Sequence, residues 1–124
     1  MGWLGLEKML PVKIRSNDDA VDVDFTLKPR RKHPRHPIIH RLDWDAAPTL
    51  HGYNRVKAKK KETLAINSEN KHPVLVVGKY GKGRVVAFAS NPAGGWGMDF
   101  VEWGSYDQFI INMVAWSANL LPEK

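Results

Sequence analysis

Apolar and polar positions alternate in two early stretches of the chain. One is Leu10-Pro-Val-Lys-Ile14; the other runs from Val21 to Leu27, with Val21, Val23, Phe25 and Leu27 on one side and Asp22, Asp24 and Thr26 on the other. A period of two sends successive side chains to opposite faces, so both stretches are expected to be half-buried strands. Pro29 to Pro37 is expected to be a loop, because each proline removes a backbone donor and restricts the residue before it. A short element is expected at Ile38 to Trp44, and further strands at Tyr53 to Ala58 and Thr63 to Asn67.

Two continuous apolar runs, Val74 to Val77 and Val85 to Ala89, flank Gly78-Lys-Tyr-Gly-Lys-Gly-Arg84. A phosphate-cradling Walker loop needs a hydroxyl after its lysine and must lead from a strand into a helix. This stretch has neither feature. It reads as a tight hairpin turning at Gly81-Lys82, where glycine supplies positive φ, with Lys79, Lys82 and Arg84 at an exposed tip. Strands apolar on both faces are expected in the middle of a sheet with cover on both sides.

The last element is a helix. Ser105-Tyr-Asp-Gln108 matches a capping box, and Tyr106, Phe109, Ile110, Met113, Trp116 and Leu120 follow in steps that make a core-facing stripe ending before Pro122. The fold class is therefore α+β: a strand-rich body with a mixed or largely antiparallel sheet, capped by one C-terminal helix.

Length and composition fit a single folded domain over residues 1–124, with 43% hydrophobic and 26% charged residues. The chain has no cysteine, which removes disulfides, thiolate nucleophiles and cysteine metal sites. Met1 to Leu10 lacks the basic start of a secretory signal, and Phe109 to Leu121 is too short to span a bilayer, so a cytoplasmic location without membrane association is expected. The net charge of +6 comes from clustered basic residues, including Arg30, Arg31, Lys32, Arg35, Lys59, Lys60 and Lys61. These clusters lack the interleaved aromatics of single-strand-binding platforms, so a module binding nucleic acid or another polyanion is the alternative function rather than the first. His33, His36 and His40 are separated by Pro34 and Pro37, which stop one helical face from presenting them to a metal, and neither metal nor cofactor is expected.

Asn91-Pro-Ala-Gly-Gly-Trp-Gly-Met-Asp-Phe-Val-Glu-Trp103 is the best candidate for a ligand site, a glycine-rich loop with two tryptophans and two carboxylates opening off a strand. The candidate ligand-binding residues are Tyr53, Asn91, Trp96, Asp99, Glu102 and Trp103. A small-molecule enzyme using Asp99 or Glu102 is a further alternative, although the spacing alone does not set their separation.

Several motifs in order resemble a known family: Leu6 to Val12, His36-Pro-Ile-Ile-His-Arg-Leu-Asp-Trp44, Gly52-Tyr-Asn-Arg-Val56, Pro73 to Phe88, and the Trp96…Phe100…Trp103…Tyr106…Phe109…Trp116 series. Together they are similar to the C-terminal half of a class I glutamine-amidotransferase-like family of uncharacterised cytoplasmic proteins. The resemblance implies a flavodoxin-like α/β sandwich whose first half, carrying the parallel strands and the nucleophile region, lies outside this chain. It also implies that relatives carry aspartate at Asn91, histidine at Gly95 and glycine at Arg41. The expected function is accordingly a non-catalytic structural or small-ligand-binding portion of such a protein, without glutaminase activity of its own. Exposed apolar surface then implies self-association or pairing with an amidotransferase-like partner half.

Overall fold

The computed structural model describes residues 8–14, 19–30, 35–59 and 62–121. Its strands are β1 (Val12–Ile14), β2 (Ala20–Val21), β3 (Leu27–Pro29), β4 (Tyr53–Asn54), β5 (Val56–Ala58), β6 (Thr63–Asn67), β7 (Pro73–Tyr80) and β8 (Gly83–Phe88), followed by helix α1 (Tyr106–Ser117). Single 3-10 turns occupy Trp44–Ala46 and Phe100–Glu102. The α+β expectation holds, and every strand pair is antiparallel. The main sheet runs β3-β6-β7-β8, while β1 pairs with β5 and β2 with β4 as separate ribbons.

The hairpin forms where the glycines predict it. Tyr80 pairs with Gly83, leaving Gly81-Lys82 as the connection, and Gly81 alone of the two has positive φ, at 59°. Glycine first with positive φ is the II′ pattern, whose twist suits a two-residue hairpin. A Cβ at Gly81 would meet nothing within 4 Å, so the demand on this residue is conformational. Gly81→Val is accordingly expected to cost about 1–2 kcal/mol, while Lys82→Ala stays within about 0.5 kcal/mol, as read from urea midpoints. Equal effects of the two would contradict this assignment.

Several expectations about these elements need correction. β7 is interior, but β8 has no second strand partner among the described residues and lies half-buried at the sheet edge. Its apolar character serves α1, which packs against it, with Val86 and Phe88 against the core. Arg84 is not at an exposed tip: two residues before Val86, it shares that face. Its guanidinium sits 4.9 Å from the Trp116 ring centre and donates to the carbonyls of Trp116 and Leu121. The bonds close off the helix C-terminus, where carbonyls lack intrahelical donors.

Val21 to Leu27 is not one strand. β2 ends at Val21 and β3 begins at Leu27, with Phe25 bridging Leu50 between them and Val23 exposed. Asp22 and Asp24 engage side chains from elsewhere in the chain, as described below. The capping box also fails: the Ser105 hydroxyl accepts the Asp43 amide at 3.1 Å, and Gln108 donates to Asn112, so a long-range tie replaces the local cap. Ile38 to Trp44 is a series of turns leading into the 3-10 turn, with Arg41 in the left-handed region at φ 66°. Glycine meets that backbone demand more cheaply than arginine.

Helix α1 stops at Ser117 in a Schellman arrangement. Asn119 has φ 62°, its amide bonds Trp116 O, and the Leu120 amide bonds Ala115 O. Leu120 is consequently turned out and exposed rather than part of the core stripe. Phe109 and Trp116 keep their expected burial, joining Phe25, Leu50, Tyr53 and Phe100 in one continuous core. The proline-rich expectation is met in part, since Pro29 ends β3 and residues 35–41 turn, while residues 31–34 lie outside the described residues. No helix among the described residues is long and apolar enough to cross a membrane.

Candidate functional site

The 91–103 loop leaves the sheet after β8 and is held at both ends. At its start, the Ser90 hydroxyl donates to Gly52 O at 2.6 Å and the Asn54 amide to Ala89 O at 2.7 Å, which ties the exit of β8 to β4. At its end, Phe100 is fully buried, with ring centres of Trp103, Tyr106, Phe109 and Phe88 between 5.4 and 6.1 Å away. Between these anchors the chain reverses tightly: the Gly97 amide bonds Gly94 O at 2.7 Å, and Gly94 and Gly95 both have positive φ. The glycines make this reversal possible, because other residues rarely adopt that backbone.

His51 fastens the middle of the loop. Its amide donates to Trp96 O at 3.0 Å. Its ring lies between two carboxylates, Nδ1 at 2.8 Å from Asp24 Oδ1 and Nε2 at 2.7 Å from Asp99 Oδ2. Beside it, the Trp96 indole donates to Asp22 Oδ1 at 2.9 Å and lies hard against Gly52, where a Cβ would overlap the ring. The hydrogen bonds to Asp99 and then Asp24 hold the His51 imidazole above its ordinary pKa of 6.5, outweighing the small opposing effect of burial.

The six residues predicted for the site separate into groups. Trp96 and Asp99 belong to this clasp. Asn91 is exposed at the mouth of the loop, its side chain beside Gly95: a Cβ there would stand 2.8 Å from Asn91 Nδ2. Glu102 is exposed on the 3-10 turn, and its amide bonds Asp99 O, with no side-chain link to that carboxylate. Trp103 is buried, its indole donating to Asp43 O at 2.8 Å and its ring 4.9 Å from that of Trp44. Tyr53 is buried in a different hydrogen-bond chain, accepting from Asn70 Nδ2 at 2.8 Å and donating to His72 Nδ1 at 2.6 Å.

Sequence reasoning missed His51, Asp22 and Asp24 as site residues. The only local signal was the placement of Asp22 and Asp24 on one polar side of an alternating stretch; their partners lie 74 and 27 residues away. Of the basic residues, Arg31, Lys32, Lys60 and Lys61 lie outside the described residues. Lys59 lines a groove of about 430 Å³ with Lys8, Lys79 and Glu62, and no residue of the 91–103 loop lines it. Among the described residues no group of three or more His, Asp or Glu side chains is arranged to hold a metal ion.

Fold and site together define a strand-rich α+β protein with a C-terminal helix and a clasped glycine-rich loop. The chain belongs to the family described as "Putative glutamine amidotransferase", whose model matches residues 3–119. Two solved structures are similar to it. Cytoplasmic protein STM1381 from Salmonella typhimurium LT2 is 31% identical with a TM-score of 0.81, over 94% of this chain and 47% of its own. Cytoplasmic protein STM3548 from Salmonella typhimurium is 25% identical with a TM-score of 0.80, over 91% of this chain and 45% of its own. The chain thus spans less than half the length of each of these relatives. No curated protein matches it.

Proposed function

We propose that this chain is a non-catalytic, structural and small-ligand-binding portion of a glutamine amidotransferase-like protein, part of a larger flavodoxin-like sandwich. The observation that carries this reading is an open sheet edge together with an exposed apolar face on the helix that packs against that strand. β8 lacks a strand partner on its outer side among the described residues, and on α1, which packs against β8, Ile111 and Val114 are 56% and 63% exposed. Three residues apart on a helix, these two side chains share one face. Apolar helix faces and open strand edges are surfaces that partners cover. The relatives' additional length is the natural source of that cover.

The clasp favours binding over catalysis. Asp99 is engaged by His51 and Asp22 by Trp96, so the loop's polar groups are occupied in holding its shape. An imidazole bonded at both nitrogens has no free lone pair with which to take a substrate proton. A ligand would meet the exposed side chains of Asn91, Met98 and Glu102 at the loop surface. Where the resemblance implies a carboxylate and an imidazole in relatives, this chain has Asn91 and Gly95.

Sedimentation velocity across a wide concentration range tests the portion reading. The isolated chain is expected to self-associate, and Ile111→Lys with Val114→Lys is expected to return it to a monomer with unchanged circular dichroism. Both sites are exposed, so each substitution should cost no more than about 0.5 kcal/mol of stability. A wild-type chain that stays monomeric at all concentrations and binds no dye for exposed apolar surface would overturn the reading.

A further inference from the structure

The His51 ring nitrogens lie 2.8 and 2.7 Å from two different carboxylates, one before it in the chain and one after. A carboxylate accepts and does not donate, so each bond requires a proton on the nitrogen. Neutral imidazole has one N–H and can satisfy one of the two; only the imidazolium satisfies both. The geometry therefore selects a protonation state. The other links across this region are the His51 amide to Trp96 O and the Trp96 indole to Asp22 Oδ1, neither of which involves the ring.

We propose that His51 is a proton-controlled clasp: as the imidazolium it fastens the 91–103 loop to the 22–24 segment through both ring nitrogens, and loss of one proton releases one carboxylate and loosens the loop. The charged groups facing the ring are Asp24 from the segment between β2 and β3 and Asp99 from the loop, with Asp22 one residue further along at the Trp96 indole. Asp99 and Asp24 both favour the protonated ring. The His51 side chain is 32% exposed, which leaves solvent access for the proton.

The sign follows from the direction of the shift. Because the two carboxylates raise the pKa in the closed loop above 6.5, the clasp contributes fully below that value and is lost as the pH rises through the closed-state pKa. The population of the open loop then increases roughly tenfold for each unit by which the closed-state pKa exceeds 6.5. The device goes beyond the proposed binding role, since it concerns loop closure with or without a ligand.

NMR on the full chain between about pH 5 and 9 tests it. The His51 ring is expected to titrate above 6.5. The Trp96 indole resonance and the protection factors of the Gly97–Trp103 amides, corrected for intrinsic exchange, are expected to change with the same midpoint. His51→Gln should leave loop protection low and flat across the range. Asp99→Ala, which removes the loop's acceptor and keeps the His51–Asp24 bond, should bring the low-pH protection down to the wild-type high-pH level. If His51 titrates at or below 6.5, if wild-type loop protection stays flat through its midpoint, or if Asp99→Ala keeps the full pH dependence, the proposal is wrong.

Discussion

Phe100→Ala is expected to lower stability by about 3–5 kcal/mol, the range for deleting a fully enclosed aromatic side chain. Phe100 has no solvent exposure, and its ring is packed among those of Phe88, Trp103, Tyr106 and Phe109. These neighbours come from β8, the loop end and α1, so the hole would open where three elements meet and where none can collapse without moving the others. Truncation also forfeits edge-to-face contacts with Tyr106 and Phe109, at interplanar angles of 87° and 86°. Set against a typical total of about 5–15 kcal/mol, such a loss is a large fraction of the stability of the fold. In urea the midpoint should fall by roughly 1 M or more, given slopes of about 1–3 kcal/mol/M. A loss below about 1 kcal/mol would mean that the loop end is not anchored through this ring.

Gly97→Ala is expected to cost about 3 kcal/mol, at the upper end of overpacking effects. A Cβ at Gly97 would overlap Asn91 O and stand 2.9 Å from Asn91 C and 3.0 Å from Ala93 N. All three are backbone atoms of the same tight reversal, so no side chain can rotate away to relieve the contact. Gly52→Ala provides the contrast. There the added Cβ would meet only the Trp96 indole, with Cδ1 at 2.6 Å, and a side chain can swing aside. Its cost should be smaller, about 1–2 kcal/mol, but it should remove the Trp96–Asp22 bond selectively. The two variants separate by urea denaturation and by the Trp96 indole resonance: Gly97→Ala lowers the midpoint more, and Gly52→Ala shifts the indole signal in a protein that remains folded. The reverse order of midpoints would contradict the packing described for the loop.

These glycines also mark how far local reading reaches. That the 91–103 stretch must bend sharply was legible from Pro92, Gly94 and Gly95 before Trp96. That Gly97 is needed for close backbone approach, and Gly52 for a tryptophan from a distant part of the chain, was not, because both contacts exist only after folding. The same division applies to α1. Its apolar steps identified the helix, and Phe109 and Trp116 are buried as expected. Its start at Ser105 is as expected, but the cap bond is not made, because the Ser105 hydroxyl instead accepts the amide of Asp43, 62 positions away. Local capping and a tertiary bond compete for one hydroxyl, and burial of Trp103 against Asp43 O brings the competitor close.

What the sequence determined by itself is whatever depends on neighbours along the chain. Apolar, β-rich runs specify the strands Thr63–Asn67 and Pro73–Tyr80, Gly81 specifies the turn, the three- and four-residue steps specify α1, and the ordered motifs specify the family. What only the tertiary structure decided is which strand lies at the edge, where Arg84 points, and that His51 meets Asp24 and Asp99. The physical reason is the range of the forces involved. Backbone preferences and side-chain periodicity act over a few residues, whereas a hydrogen bond needs its atoms within about 3 Å and is indifferent to the 27 or 48 positions that separate its partners in sequence.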